Sequence, residues 1–363
     1  MTPPIPVCFV LPDLGGGGAQ RVMLELAGAL DPRKFAVTLV IIGGSQLLAD
    51  QIPAGTQVIQ LGANRLRQGL PRLLRCLRRL QPAIIVSVMG YLNLALLVLR
   101  SLLKGKPRIV VREANMLSAT VAELPWWLGA GQLYRSLYPR ADAIVVPVSA
   151  IAAEIAKVAP AAQARTVVIR NPVNEQALRW RATPPQRPAG GGLVLVGAGR
   201  LTAQKGFDRL IELMPRLAND TRLTIFGDGP DRATLERRIA RLGLIGRVTL
   251  APFSLGLPAA IAGADLFVLP SRWEGLPNVV LEALALGVAV VASGEANVED
   301  VAQKAGPDAL TIAAVGAPFV DAICRHAPLG SALTILRPSL LPVEFRRETI
   351  AAQFSDLLDR VAA

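Results

Sequence analysis

Short apolar runs alternate along the chain with segments in which apolar residues recur at helical spacing. In the first half, the runs PVCFVLP, FAVTLVIIG, RIVVRE and AIVVPVS predict strands, and AQRVMLELAGAL predicts the helix after the first strand. This alternation of strands and helices is typical of parallel sheets flanked by helices. The hydrophobic pattern therefore predicts an α/β fold.

The pattern restarts after a segment rich in proline and glycine. TPPQRPAGGG, residues 183–192, predicts a linker. Beyond it, LVLVGAGRL, RLTIFGDG, RVTLAPF and ADLFVLPS predict strands, and KGFDRLIELMPRLAN predicts a helix. Each half opens with a strand, a glycine-rich loop and a helix. We predict two doubly wound, Rossmann-like domains, residues 1–182 and 193–345, facing each other across a cleft, with residues 346–363 as a helix that packs back on the first.

One uncharged stretch raises the question of a membrane span. AIIVSVMGYLNLALLVL, residues 83–99, approaches the length of a thin span. Gly90, Tyr91 and Asn93 interrupt it, however, and it divides into a strand, a turn and a helix. We therefore predict a buried strand–helix unit.

Composition changes this picture mainly through charge. The 363 residues are 52% hydrophobic, which suits two domains with large cores. The net charge of +12 indicates anionic partners, and basic patches interleaved with aromatic residues are absent, which disfavours nucleic acid. Cys8, Cys76 and Cys324 lie far apart and predict no disulfide framework, and the first residues carry no evident signal peptide. We expect a cytoplasmic location.

The sequence lacks the motifs of several catalytic and cofactor-binding sites. The sequence contains no P-loop, no D-x-D pair and no G-x-S-x-G, and GGGGAQ and GAGRLT both lack the third glycine of G-x-G-x-x-G. The lone His326 cannot supply a histidine-rich metal site. We expect no metal and no other cofactor.

Glycine loops and basic residues remain as candidates. DLGGGGAQR, residues 13–21, places Gly17 and Gly18 between a strand and a helix, where a backbone can approach an anion. GAGRLTAQKG places Arg200 and Lys205 in the corresponding loop of the second domain. Two cations there suit a diphosphate, but a solvated basic loop explains them equally well. A structural role is sufficient to explain the turn GDGP.

A basic helix is predicted over NRLRQGLPRLLRCLRRLQP, residues 64–82. Its leucines recur at helical spacing: Leu66, Leu70, Leu73, Leu74, Leu77 and Leu80. Its arginines occupy the other faces, with no acidic residue among them: Arg65, Arg67, Arg72, Arg75, Arg78 and Arg79. The pattern fits an interfacial helix on an anionic membrane and a helix packed on the sheet equally well.

The segment PSRWEGLPNVVLEALALGVAVVAS, residues 270–293, carries two glutamates amid apolar sequence. Together with GGGGAQR, GAGRLTAQKGFDRLI and GDGP, in this order, it resembles the retaining glycosyltransferases of family 4, which have the GT-B fold. The resemblance covers most of the chain. After Ser293 the sequence follows the family pattern only loosely.

The resemblance implies a role for each site residue. Glu274 would contact hydroxyls of the transferred sugar, and Glu282 would accept hydrogen bonds from the nucleotide ribose. Arg200 and Lys205 would neutralise the diphosphate of the donor. Backbone amides near Gly275, Leu276 and Asn278 would lie close to the donor phosphates, as would Gly17 and Gly18. The catalytic set implied is Arg200, Lys205 and Glu274.

The first domain should hold the acceptor. VREANM follows a strand, and its Arg112, Glu113 and Asn115 are the acceptor-binding candidates. Our hypothesis is retaining transfer of a sugar, from a UDP-linked donor, to a hydroxyl of a lipid-linked or envelope polysaccharide acceptor. An anionic membrane surface would contact residues 64–82 and hold the protein on the inner face of the plasma membrane. The alternatives are an NAD-type oxidoreductase and a non-catalytic nucleotide-sugar or membrane-binding protein.

Overall fold

The structure, a computed structural model, forms two compact units. It describes residues 3–15, 17–63, 66–118, 121, 129–183, 185–187, 191–253, 256–329 and 335–363. The first unit comprises Met1–Pro172 with Arg347–Ala363, and the second comprises Val173–Arg346.

The first unit is built on a parallel sheet of seven strands. The strands are β1 (Ile5–Leu11), β2 (Phe35–Ile41), β3 (Gln57–Gln60), β4 (Ile84–Val88), β5 (Arg108–Arg112), β6 (Ala143–Val146) and β7 (Thr166–Val168). Their order is β3-β2-β1-β4-β5-β6-β7. The helices are α1 (Gly18–Gly28), α2 (Leu66–Leu80), α3 (Gly90–Leu99), α4 (Ala130–Leu137), α5 (Ser149–Val158) and, from the end of the chain, α13 (Arg347–Ala362).

Strand β1 shows why both faces of this sheet are covered. Its side chains alternate in direction. Phe9 joins a core cluster that includes Met23 of α1 and Phe354 of α13. Val10 joins a second cluster that includes Leu73 of α2 and Leu92 of α3. Apolar residues at successive positions therefore serve two helical layers, as in other buried parallel sheets.

The second unit repeats the plan with six parallel strands. The strands are β8 (Val194–Ala198), β9 (Arg222–Phe226), β10 (Val248–Ala251), β11 (Leu266–Leu269), β12 (Ala289–Ser293) and β13 (Leu310–Ala313), in the order β10-β9-β8-β11-β12-β13. The helices are α6 (Glu175–Arg181), α7 (Phe207–Leu213), α8 (Arg232–Arg241), α9 (Leu257–Gly263), α10 (Asn278–Ala285), α11 (Glu299–Ala305) and α12 (Ala317–Cys324). The prediction of two doubly wound, Rossmann-like domains is confirmed.

The boundary between the units lies ten residues before the predicted linker. Helix α6 belongs to the second unit because Arg179 donates hydrogen bonds to the carbonyl oxygens of Ala285 (2.8 Å) and Arg337 (2.9 Å). Within residues 183–192, positions 184 and 188–190 lie outside the described residues.

The uncharged stretch 83–99 forms β4 and α3, as predicted. Across the described parts of the chain, no helix combines the length and the apolarity needed to cross a membrane.

Each sheet has one point at which the order of its strands reverses. In the second unit this point lies between β8 and β11, which pair directly. Ligands of doubly wound sheets bind outside the carboxyl ends of the strands at such a point. The loops after β8 and β11 therefore define where a site is expected.

Candidate functional site

The loop after β8 carries Arg200 and Lys205. Arg200 is exposed, and Lys205 ends a short 3-10 helix before Gly206. The turn Gly227–Gly229 packs tightly beneath this loop: a Cβ on Gly227 would lie 1.9 Å from the carbonyl oxygen of Gly199. The structural interpretation of the GDGP turn agrees with this contact, since its glycines allow two backbones to approach closely.

Lys205 and Glu274 form an ion pair between the two loops. The Lys205 Nζ atom lies 2.6 Å from Glu274 Oε1, and their side chains are 16% and 7% exposed. The Ser271 hydroxyl donates a second hydrogen bond to the same oxygen, at 2.6 Å. A carboxylate that is almost buried thus has a charged partner, which offsets the cost of removing it from water.

Three side chains outside the predicted set hold the backbone of the Glu274 loop. Arg209 donates to the carbonyl oxygens of Pro270 (2.5 Å) and Ser271 (2.9 Å). Ser293 donates to the carbonyl oxygen of Ser271 (2.5 Å), and Asn297 donates to that of Glu274 (2.5 Å). Sequence reasoning missed these residues, although the position of Ser293 at the end of a buried strand and of Asn297 just after it was a usable signal.

The rest of the predicted donor set lies on the segment that enters α10. Gly275 and Leu276 are buried, and Asn278 is the first residue of the helix. Pro277 precedes it and has no amide hydrogen to donate. Glu282 is half-buried on the next turn of α10. The amides at this helix end can attract an anion, because the N-terminus of a helix carries partial positive charge.

The glycine loop of the first unit leads into α1. Gly17 precedes the helix and Gly18 begins it, whereas Gly16 lies outside the described residues. Asp13 Oδ1 accepts hydrogen bonds from the amide of Gly15 (2.7 Å) and from Gln20 Nε2 (3.0 Å). Asp13 and Gln20 therefore fix the shape of the loop on both of its sides.

The three acceptor candidates do not form one group. Arg112 and Glu113 are each only 2% exposed, whereas Asn115 is exposed. Arg112 donates to Asn171 Oδ1 at 2.7 Å, and burial lowers its pKa to about 10. Of the three, Asn115 is the side chain that faces solvent.

Glu113 belongs to a buried polar cluster that sequence reasoning missed. Tyr138 donates a hydrogen bond to Glu113 Oε2, and Asn93 donates to the carbonyl oxygen of Arg112 (3.0 Å). Ser87 donates in turn to Asn93 Oδ1 (2.7 Å). Burial raises the pKa of Glu113 to about 7, although the hydrogen bonds to Tyr138 and Asn93 oppose that rise.

Helix α2 turns its leucines inward. Leu73 and Leu77 are buried in the core, and the other four leucines of the stretch pack against the same cluster. Arg72 donates to the carbonyl oxygens of Leu61 (2.8 Å) and Gly62 (2.7 Å). Of the two interpretations of this helix, packing on the sheet accounts for its apolar side, and its exposed side is basic.

Within the described ranges, no group of three or more histidine, cysteine, aspartate or glutamate residues could hold a metal ion. At the switch point of the second unit, Lys205 pairs with the nearly buried carboxylate of Glu274, Arg200 is exposed on the loop of Lys205, and the loop of Glu274 leads into the N-terminus of α10. Groups of these kinds can bind a ligand that carries both negative charge and hydroxyl groups.

Comparison with known proteins places the chain in a family. The family model described as Glycosyltransferase Family 4 matches residues 16–177, and the one described as Glycosyl transferases group 1 matches residues 179–314. The lipopolysaccharide core biosynthesis glycosyltransferase LpsE of Rhizobium meliloti (strain 1021) is 28% identical over 288 residues, which are 76% of this chain and 76% of that protein.

Solved structures share the fold. Alr3699/HepE of Anabaena, in complex with UDP, has a TM-score of 0.78 and 17% identity over 98% of this chain and 100% of that one. The apo form of the lipopolysaccharide outer core galactosyltransferase WaaB has a TM-score of 0.69 and 18% identity over 98% and 99%. The chain belongs to the glycosyltransferases of the family 4 type, with the GT-B fold, as the resemblance predicted.

Proposed function

We propose that this glycosyltransferase moves a sugar from UDP to a hydroxyl of a lipid-linked or envelope polysaccharide acceptor, with retention at the anomeric carbon and without a metal ion. The observation that carries the proposal is the contact between Lys205 and Glu274 at the switch point, with Arg200 exposed in the same loop as Lys205. A cation for the diphosphate and a carboxylate for sugar hydroxyls stand next to each other there.

The donor would be held by this chain as follows. Lys205 and Arg200 bind the diphosphate, and the amides at the start of α10 add partial positive charge. Glu274 accepts hydrogen bonds from sugar hydroxyls, and Glu282 accepts them from the ribose. When the donor binds, its phosphate competes with Glu274 for Lys205, because the two side chains bond each other in the free protein.

In the chemical step one bond breaks and another forms. The bond between the anomeric carbon and the phosphate oxygen breaks, and its electron pair stays on that oxygen. The acceptor oxygen attacks the same face of the sugar, and its proton passes to the departing phosphate. Lys205 and Arg200 stabilise the negative charge that gathers on the leaving diphosphate, which is where preorganised cations lower a barrier most.

The proposed donor and acceptor are inferred from what similar proteins are described to bind or make. HepE is described in complex with UDP, and also with UDP and glucose, which supports a UDP-linked donor. LpsE and WaaB are described as lipopolysaccharide glycosyltransferases, which supports an envelope glycan as acceptor. A cytoplasmic enzyme that meets a lipid-linked acceptor would work at the inner face of the plasma membrane, where a basic surface is an advantage.

The test measures turnover of UDP-sugars in the presence of EDTA, by release of UDP, with NMR of the product for its anomeric configuration. Lys205→Ala should lower turnover about 100-fold to 1,000-fold, as expected for the loss of one preorganised charge partner. Lys304→Ala, which removes a lysine paired with Glu344 in the same unit, is the matched control and should leave turnover unchanged.

A thermal-shift measurement separates binding from catalysis. UDP at a hundredfold excess over its Kd should stabilise the wild type by about 2.7 kcal/mol, and Glu282→Ala should reduce that shift. A UDP shift without turnover of any donor would favour a non-catalytic nucleotide-sugar-binding protein. Equal turnover in Lys205→Ala and wild type would contradict the assignment of the diphosphate site, and loss of turnover in EDTA would contradict metal independence.

A further inference from the structure

Helix α3 leaves an apolar stripe exposed. Tyr91, Val98 and Leu102, which follows the helix in a 3-10 turn, are 41%, 53% and 49% exposed. Their spacing of seven and four residues places them on one side of a helix, with Ala95 between them. Leu92 and Leu96, on another side of the helix, are buried in the core. The exposed stripe is thus distinct from the residues that stabilise the unit.

Helix α2 lies beside α3 and presents a basic stripe. Leu73 and Leu77 of α2 share a core cluster with Leu92 and Leu96 of α3. At the ends of the two helices, Arg78 Nε donates to the carbonyl oxygen of Leu102 at 3.0 Å. The exposed positions of α2 are mainly basic: Arg67, Arg72, Arg75, Arg78 and Arg79. Apolar and basic stripes therefore adjoin.

The sequence around these helices is free of acidic residues. Between Asp50 and Glu113 there is no aspartate or glutamate, while eleven basic residues occur: Arg65, Arg67, Arg72, Arg75, Arg78, Arg79, Arg100, Lys104, Lys106, Arg108 and Arg112. Arg112 is buried, and Arg100 and Arg108 pair with Asp142, so the basic surface consists of the arginines of α2 with Lys104 and Lys106. Surface helices of soluble domains normally mix both signs, so a partner with negative charge is indicated.

We propose that the exposed side of α2 and α3 docks on an anionic lipid surface. The arginines of α2, with Lys104 and Lys106 beyond α3, bind lipid phosphates, and Val98 and Leu102 enter the region between headgroups and acyl chains. Tyr91, whose pKa is raised by its burial and by the Asp13 carboxylate of the glycine loop, lies at the edge of this contact. This inference rests on the proposed function, in which an anionic membrane is a partner. It adds that α3, as well as α2, contacts the lipid. The leucines of α2 stay in the core, so the apolar contact comes from α3.

The magnitudes support this division of roles. Each basic residue near an anionic surface strengthens binding about fivefold, so removal of three should weaken it about a hundredfold. The apolar side chains add binding that salt does not screen, because burial of apolar surface carries no net charge. Docking through both stripes should therefore depend on salt only in part.

The experiment is sedimentation of the full chain with vesicles of phosphatidylcholine alone and of equal parts phosphatidylcholine and phosphatidylglycerol. Wild type should bind the second and not the first. R67Q/R75Q/R79Q should weaken binding about a hundredfold. The matched control R216Q/R237Q/R325Q removes three exposed arginines of the second unit, keeps the same net charge and should bind as wild type does.

The apolar stripe has its own variant. V98S/L102S should lower binding to anionic vesicles and remove the part that survives high salt, whereas I245S, at an isoleucine 78% exposed in the second unit, should change neither. Equal weakening by both arginine triples would overturn the proposal in favour of attraction by net charge. Wild-type binding that ignores phosphatidylglycerol would overturn it as well.

The UDP thermal shift keeps the two proposals apart. All docking variants should retain it, which also shows that they fold. A wild type that turns over donor but ignores anionic vesicles would refute docking and leave sugar transfer standing. A wild type that binds vesicles through these stripes but turns over no donor would refute sugar transfer and leave docking standing.

Discussion

Lys205 and Glu274 are 69 positions apart in sequence, yet they form the central contact of the candidate site. The sequence predicted both residues individually, through the family resemblance. Their ion pair follows from the sheet order, because β8 and β11 are neighbours and their loops meet at one edge. The supporting bonds of Arg209 and Asn297 could not be predicted, since they depend on where backbone carbonyls of another loop lie.

Glu113 should make the stability of the first unit depend on pH. Burial raises its folded pKa from 4.5 to about 7, so the folded state binds the proton more tightly than the unfolded chain does. The contribution of Glu113 to the unfolding free energy is fully present below pH 4.5 and is lost as the pH rises through 7. The loss amounts to about 3 kcal/mol. Glu113→Gln, which keeps an oxygen for Tyr138, should remove this loss.

Denaturant unfolding at pH 5 and pH 8 measures the effect. The difference in unfolding free energy between the two pH values should shrink in Glu113→Gln and stay as in wild type in the control Glu348→Gln, an exposed position on α13. A pH dependence that is the same in all three proteins would show that Glu113 titrates normally.

At the scale of elements, Gly206 joins the Lys205 loop to α7. It has φ of +65°, and a Cβ there would lie 2.1 Å from the carbonyl oxygen of Pro270, which begins the Glu274 loop. Gly206→Ala should therefore displace the two loops from each other. A displacement of about 1 Å can lower turnover roughly a hundredfold. We expect a decrease of this size in Gly206→Ala, measured as the rate at which UDP is released from the donor.

Gly243 provides a control with the same backbone. It also has φ of +65°, but nothing lies within 4 Å of its Cβ position. Gly243→Ala should cost about 1 kcal/mol of stability from left-handed strain and leave turnover unchanged. Equal losses of turnover in both variants would mean that backbone strain, and not contact with Pro270, is responsible.

Helix α2 shows what an amphipathic pattern can and cannot predict. The spacing of its leucines correctly predicted a helix with one apolar side. Whether that side meets a sheet or a lipid depends on what lies opposite, and the pattern carries no information about it. By contrast, β4 and α3 were predictable, because Gly90 and Asn93 interrupt an apolar run that is otherwise ambiguous.

At the scale of the whole molecule, the chain leaves the first unit at Pro172 and returns to it at Arg347. The returning helix, α13, contributes Ile350, Phe354, Leu357 and Leu358 to the core beneath β1. The sequence predicted this return. The boundary at residue 172 was not apparent from composition, because α6 is bound to the second unit by Arg179, far from the proline-rich segment.

This arrangement predicts that stability of the first unit and donor binding by the second can be changed separately. Phe354 is 1% exposed, and its ring centroid lies 6.2 Å from that of Phe9. Phe354→Ala should lower the unfolding free energy of the first unit by about 3 to 5 kcal/mol, because it leaves a cavity in the core. The Kd for UDP, measured by calorimetry below the unfolding temperature, should stay as in wild type, since the side chains assigned to the diphosphate, sugar and ribose all lie within Val173–Arg346 and only the Gly17–Gly18 backbone lies in the first unit. Gln353→Ala, at an exposed position on the same helix, is the control and should change neither quantity. A weaker UDP affinity in Phe354→Ala alone would show that the donor site depends on the first unit, and the Gly17–Gly18 loop would then be the first place to look for that dependence.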